Sequence, residues 1–210
     1  MVNRALFINA GVIVVLAVAF GFCFQYYCPM NASTDLKDGI SAIRSRKSIR
    51  KFDESKNISV EDMKTIIECG MSAPSAMNER AFHFVVVRDQ AMRDKLAGFY
   101  PYAQFIRCPT AVAVLVCIET EKLILPEYWQ QDCGAATENM LVAAASMGIG
   151  STWSGVYPIH EPKEKDVRDL LGIPDGIHIF NIVGFGYPEG VTLAPRESRF
   201  EAKLYHAEKW

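Results

Sequence analysis

Apolar and polar positions divide the chain into two parts. Residues 5–27 carry no charge at all. A helix needs roughly 20 apolar residues to cross a bilayer, so this run predicts an N-terminal membrane anchor over residues 1–28. Phe20, Phe22, Phe24, Tyr26 and Tyr27 would form its aromatic end. A cleaved signal peptide is the competing reading, with Arg4 as its basic start and Ala17-Val18-Ala19 as its cleavage motif. Such a cut would leave Phe20-Gly21-Phe22 as a very apolar new terminus, which favours the anchor. Arg4 and the N-terminal amine flank one end of the run, and Lys37, Arg44, Arg46 and Lys47 follow the other, most of them further away; the orientation stays open, with positive-inside counting favouring a cytoplasmic domain. Asn31-Ala32-Ser33 matches a glycosylation sequon, a pattern too short to weigh.

Beyond a polar linker at residues 29–38, the apolar positions recur at helical or strand spacing. Helices are predicted over residues 36–46, 59–71, 90–99, 132–147 and 161–171. The second opens with the capping pattern Ser59-Val60-Glu61-Asp62. The fourth is rich in alanine and ends at Gly148, which suits close packing. Strands are predicted over 82–87, 111–118, 151–156 and 178–186. The second of these is continuously apolar and therefore buried. Residues 188–210 read as a polar, basic and aromatic tail. The alternation of helices and strands, with no internal repeat, predicts a single α+β domain over residues 36–210.

Composition narrows the picture. Of 210 residues, 50% are hydrophobic, and the net charge is −2. The chain can bury a core, and nothing in its balance suits a nucleic acid. Its six cysteines form no CxxC pair, and its four histidines show no metal-ligand spacing. Free buried thiols are expected. Gly148-x-Gly150 and Gly184-Phe185-Gly186 both fail as dinucleotide fingerprints, since neither joins a strand to a following helix. No nucleophile–base pair is evident. Asp132 and Glu138 read as a helix cap and a core hydrogen-bonding group.

The candidate chemistry lies in four separated segments. Arg46, Lys47, Ser48 and Arg50 put three cations and a hydroxyl within five residues, and in an extended stretch Arg46, Ser48 and Arg50 share one side. A solvated basic face is the alternative reading of that run. Pro74-Ser75-Ala76-Met77-Asn78 is a turn-forming loop. Trp153-Ser154-Gly155 follows the Gly148 cap. Arg196 and Arg199 add two cations near the C-terminus.

In this order the segments resemble the FMN-dependent nitroreductase family, over residues 36–210. The resemblance implies an α/β/α sandwich with a central, mostly antiparallel sheet, in a domain-swapped homodimer. It implies FMN as cofactor, NADH or NADPH as electron donor, and hydride passed through the flavin to nitroaromatic, quinone or similar acceptors. The basic residues would then grip the phosphate. Trp153, Ser154 and Gly155 would pass the flavin ring. Pro74, Ser75, Ala76 and Asn78 would lie against the flavin of the other subunit. No catalytic side chain and no metal are implied. Two departures stand out: Arg80 replaces the family's usual Gln, and the C-terminal cations are spaced R-x-x-R. Reductive dehalogenation within the same superfamily, and flavin binding without turnover, are the alternatives.

Overall fold

The computed structural model describes residues 36–158 and 163–210. The expected anchor and the sequon lie outside the described residues, as do most of the linker and the expected start of the fifth helix. Among the described residues, no helix is long and apolar enough to cross a membrane.

Four strands form one sheet: β1 (Phe82–Val87), β2 (Val112–Glu119), β3 (Gly150–Gly155) and β4 (Ile177–Gly186). Their order is β1-β2-β4-β3, and every neighbouring pair is antiparallel. β2 is central. Its residues Ala113, Leu115 and Cys117 enter one core, and Val112, Val114, Val116 and Ile118 enter the other. An antiparallel strand usually alternates apolar with polar. This one is apolar from Val112 to Ile118 because helices cover both faces.

On one face lie α2 (Val60–Met71) and α4 (Trp129–Ser146), with α1 (Leu36–Ser45) packed on α4. On the other lie α3 (Gln90–Phe99), the 3₁₀ segment Pro101–Arg107 and α5 (Glu164–Leu171). This is the expected α+β sandwich of helices around an antiparallel sheet. Local signals start several of these helices. Ser59 Oγ accepts from Asp62 N–H at 2.9 Å, and Asp89 Oδ1 accepts from Met92 N–H at 2.8 Å, caps worth about 1 kcal/mol each. α4 begins three residues before the expected Asp132. Pro126–Tyr128 form a 3₁₀ turn, and buried Trp129 opens the helix, packed on Tyr157, His178 and Phe180. Gly148, at φ +71, ends the segment as predicted, with Ile149 N–H returning to Ala144 O at 2.8 Å.

Two features of β4 shape the site. Its register against β2 shifts between Val116, opposite Asn181, and Cys117, opposite Ile179. Phe180 is therefore a bulge residue. Its carbonyl accepts from both Val156 and Tyr157 N–H, and its ring supports Trp153 at 5.6 Å. At the other end, a Cβ on Gly186 would collide with the Phe52 ring, and one on Gly184 with the Phe105 ring. The glycines that fail as a nucleotide fingerprint thus let other segments lie directly on the strand.

One of those segments is an extended strap at residues 46–52. Ser48 bridges to Ser151, Ile49 N–H donates to Ser151 O at 2.9 Å, and Thr152 Oγ1 bonds to Ile49 O. Phe52 bridges to Pro188. Ile49 and Phe52 face inward, while Ser48 and Arg50 share the exposed side. Beyond Pro188 the tail is irregular apart from a turn at Ala202–Leu204.

Candidate functional site

The strap and the tail meet in a cationic cleft of about 390 Å³, lined in part by Arg44, Arg46, Glu138, Arg196 and Arg199. Arg196 joins the two segments. Its backbone N–H and its Nε donate to Arg44 O at 3.2 and 3.1 Å, and its Nη2 donates to Arg46 O at 2.6 Å. Partial desolvation, then the nearby charges of Arg199 and Arg46, hold the Arg196 guanidinium below its ordinary value. Like charges held this close favour an anion between them. Arg46 Nε is shielded from solvent. It stands 3.0 Å from Glu138 Oε1, yet lacks the alignment for a hydrogen bond. The R-x-x-R spacing has a structural counterpart: Arg196 is committed largely to backbone carbonyls, while Arg199 lines the same cleft.

Four residues further along the strap, Arg50 lines a second cleft of about 390 Å³ with Tyr102, Thr152, Trp153, Ser154, Gly155 and Tyr157. Trp153 is 37% exposed, and the Phe180 bulge backs it. A Cβ on Gly155 would meet nothing within 4 Å, so the backbone there is open to a flat partner. Lys47 is placed differently: its Nζ reaches Thr192 O at 3.5 Å. Ser48 is exposed between the two arginines.

Pro74, Ser75 and Ala76 line a third cleft of about 470 Å³, together with Met77, Leu125, Tyr128, Gln131, Asp132 and Ala135. Its lining shares no residue with the other two clefts. The loop is tightly bonded. Ser75 Oγ accepts from Arg80 N–H at 2.9 Å, and Ala76 N–H donates to Asp132 Oδ1 at 3.0 Å. Met77, Asn78 and Arg80 are all left-handed, with φ of 51, 57 and 52. The Arg80 side chain donates from Nη2 to Met71 O at the end of α2, at 2.9 Å.

One chain therefore brings together Arg46, Arg196 and Arg199, and sets Arg50 beside Trp153, Ser154 and Gly155. Pro74, Ser75, Ala76 and Asn78 line neither of those clefts. Sequence reasoning missed Tyr102, which has no local signature, and Arg44, whose contribution is a backbone carbonyl. The four described cysteines, Cys69, Cys108, Cys117 and Cys133, are free, and no metal-binding cluster occurs among the described residues. The donor set suits a phosphate joined to a flat ring: a group of cations at one cleft, an open glycine beside an aromatic ring at the other.

Comparison with known proteins agrees with this architecture. The profile of the nitroreductase family matches residues 43–113 and 105–187. A protein of Archaeoglobus fulgidus, provisionally named an NADH dehydrogenase/NAD(P)H nitroreductase, is 41% identical over 177 residues, which is 83% of this chain and 100% of that one. A Clostridium acetobutylicum structure, provisionally an NADH oxidase, superposes with a TM-score of 0.74 at 33% identity, covering 80% of this chain and 99% of that one. A Desulfovibrio desulfuricans structure, provisionally a nitroreductase and solved in complex with FMN, gives 0.68 at 28% identity, covering 80% and 95%. The chain belongs to the nitroreductase family.

Proposed function

We propose that this chain is an FMN-dependent NAD(P)H oxidoreductase that reduces small planar acceptors such as nitroaromatics and quinones. The observation that carries the reading is the strap. It leads from a cleft lined by Arg46, Arg196 and Arg199 to one where Arg50 faces Trp153 and Gly155. FMN is the cofactor, and NADH or NADPH is the donor. When bound, FMN supplies a two-electron carrier between donor and acceptor.

The side chains bind and orient. Arg46 and Arg199 offer charge-assisted donors to a phosphate, Ser48 adds an exposed hydroxyl on the strap, and Lys47 adds a charge once its Nζ leaves Thr192 O. Arg50 puts a fixed positive charge on the wall of the ring cleft, where it would stabilise negative charge as it builds up. Trp153 and Ser154 give that cleft its wall, Gly155 lets backbone approach closely, and Phe180 keeps Trp153 from collapsing inward.

Pro74, Ser75, Ala76 and Asn78 serve the site of a second copy, which makes the active form a homodimer. Two observations support this. The loop cleft is lined by none of the residues that line the cationic clefts of its own chain. Large apolar side chains also stand exposed on α1 and the tail, with Ile40 at 56%, Ile43 at 57% and Phe200 at 70%, the pattern of a surface that is covered by a partner. The uncharged run at residues 5–27 would tether the enzyme to a membrane, a reading that rests on sequence alone.

The test is an absorbance spectrum of the full chain, purified without added flavin. The expected result is a bound oxidised flavin that NADH or NADPH bleaches in the absence of air and a quinone restores. A colourless protein that also refuses added FMN would overturn the reading.

A further inference from the structure

The geometry points to Asp132 as the positioning residue that holds the loop at residues 74–80 in its working shape, an inference that rests on the flavin reading above. Asp132 lies in the first turn of α4 and is 8% exposed. Carboxylates are rarely this buried without a dedicated partner. Here the partner is the Ala76 N–H, 56 residues away in sequence, at 3.0 Å from Oδ1. Asp132 also shares the wall of the loop cleft with Pro74, Ser75 and Ala76.

The loop needs such a hold. Met77, Asn78 and Arg80 are left-handed without being glycine, with φ of 51, 57 and 52. Conformations of this kind persist only where the surroundings over-determine them. Ser75 Oγ bonds the loop to itself at Arg80 N–H, Glu79 accepts from Ile124 N–H in a surface turn at 3.0 and 3.1 Å, and the exposed Arg80 side chain donates to Met71 O at the end of α2. Asp132 instead reaches the loop from the helix that covers the sheet, next to wholly buried Cys133 and Ala136. It transmits the rigid frame of the core to the residues assigned to the flavin.

A different role must be separated from this one. A carboxylate in the first turn of α4 also favours the helix dipole. Asn keeps an oxygen for Ala76 N–H but loses the charge, so Asp132→Asn distinguishes the two.

The experiment compares the full-length wild type with Asp132→Ala, Asp132→Asn and Ala76→Pro. It reads FMN affinity by fluorescence titration, and deuterium exchange of the peptide covering residues 74–80 in flavin-free protein. Asp132→Ala should weaken FMN about tenfold, the effect of one lost hydrogen bond, and should speed exchange in the loop. Asp132→Asn should restore both. Ala76→Pro deletes the donor and leaves the carboxylate in place. Proline is tolerated at the first position of such a turn, and Ser75 before it is already extended at φ −138, ψ 156. This variant should also weaken FMN and speed exchange at residues 77–80, so the test survives if Asp132→Ala does not fold. If Asp132→Ala and Ala76→Pro bind FMN as the wild type does, with unchanged exchange, the proposal falls and the flavin reading stands. The proposal also falls if Asp132→Asn behaves as Asp132→Ala does, which would assign the carboxylate to the helix dipole. A wild type that takes up no FMN overturns the flavin reading, and the exchange data then still decide whether Asp132 holds the loop.

Discussion

Glu138 Oε1 stands 3.0 Å from Arg46 Nε, so the cleft that gathers cations carries a carboxylate of its own. The pair is partly exposed, 27% for Arg46 and 48% for Glu138. Such pairs contribute roughly 0–1 kcal/mol, while the carboxylate repels any phosphate that enters. Glu138→Gln should therefore tighten FMN binding by about two- to fivefold at low salt, and Arg46→Ala should weaken it. Titration calorimetry reads both. Weaker binding by Glu138→Gln would mean that the carboxylate serves to orient Arg46.

Gly155 separates stability from binding. Because an added Cβ meets nothing within 4 Å, Gly155→Ala should leave the unfolding free energy of the flavin-free protein, read by urea denaturation, within about 0.5 kcal/mol of wild type. The same methyl would intrude where backbone is to approach a ring. A marked loss of FMN affinity at unchanged stability is the expected outcome, and equal affinity would remove Gly155 from the site.

Gly186 should behave in the opposite way. A methyl there would press on the Phe52 ring, and overpacking of this kind costs about 1–3 kcal/mol. Gly186→Ala should lower the urea midpoint accordingly, even in the absence of flavin. A neutral substitution would show that the strap can lift off β4.

Alkaline pH should destabilise the domain. Burial, with a smaller effect from the Glu164 charge, pushes the Cys117 thiol from 9.0 up to about 12. Burial also raises Cys133 and Tyr100. In the unfolded chain these groups release protons earlier, so above pH ~9 the unfolded state binds fewer protons than the native state. Their contribution is complete below about pH 9 and is lost as pH rises toward 12. The melting temperature should therefore fall across that window, and less steeply in Cys117→Ala. Parallel slopes for the two proteins would contradict this account.

Local signals were legible in the sequence. The bounds of β1 and α3 match those predicted: a compact apolar run defines the first, and the structure starts the second at the Asp89 cap. The start of α4 was not legible, since the burial of Trp129 depends on Phe180 and His178, some fifty residues away. The same division runs through the site. Cations at Arg46, Lys47, Arg50, Arg196 and Arg199 are visible as composition, but which of them are committed elsewhere is not. Arg196 is occupied by the carbonyls of Arg44 and Arg46, Lys47 turns to Thr192 O, and Arg80 turns to Met71 O. Asp132 looked like a helix cap because its bond to Ala76 is set by the packing of α4 beside the loop, which no spacing in the chain encodes.

The bonds from Arg196 to Arg44 and Arg46 join positions 152 and 150 residues apart. Closing a flexible segment of that length costs on the order of 4 kcal/mol in chain entropy. Folding settles that cost before any anion arrives. The two ends of the domain thus work as a drawstring: each alone is a loose basic stretch, and the charge density a phosphate would meet exists only because the sheet between them has drawn them shut.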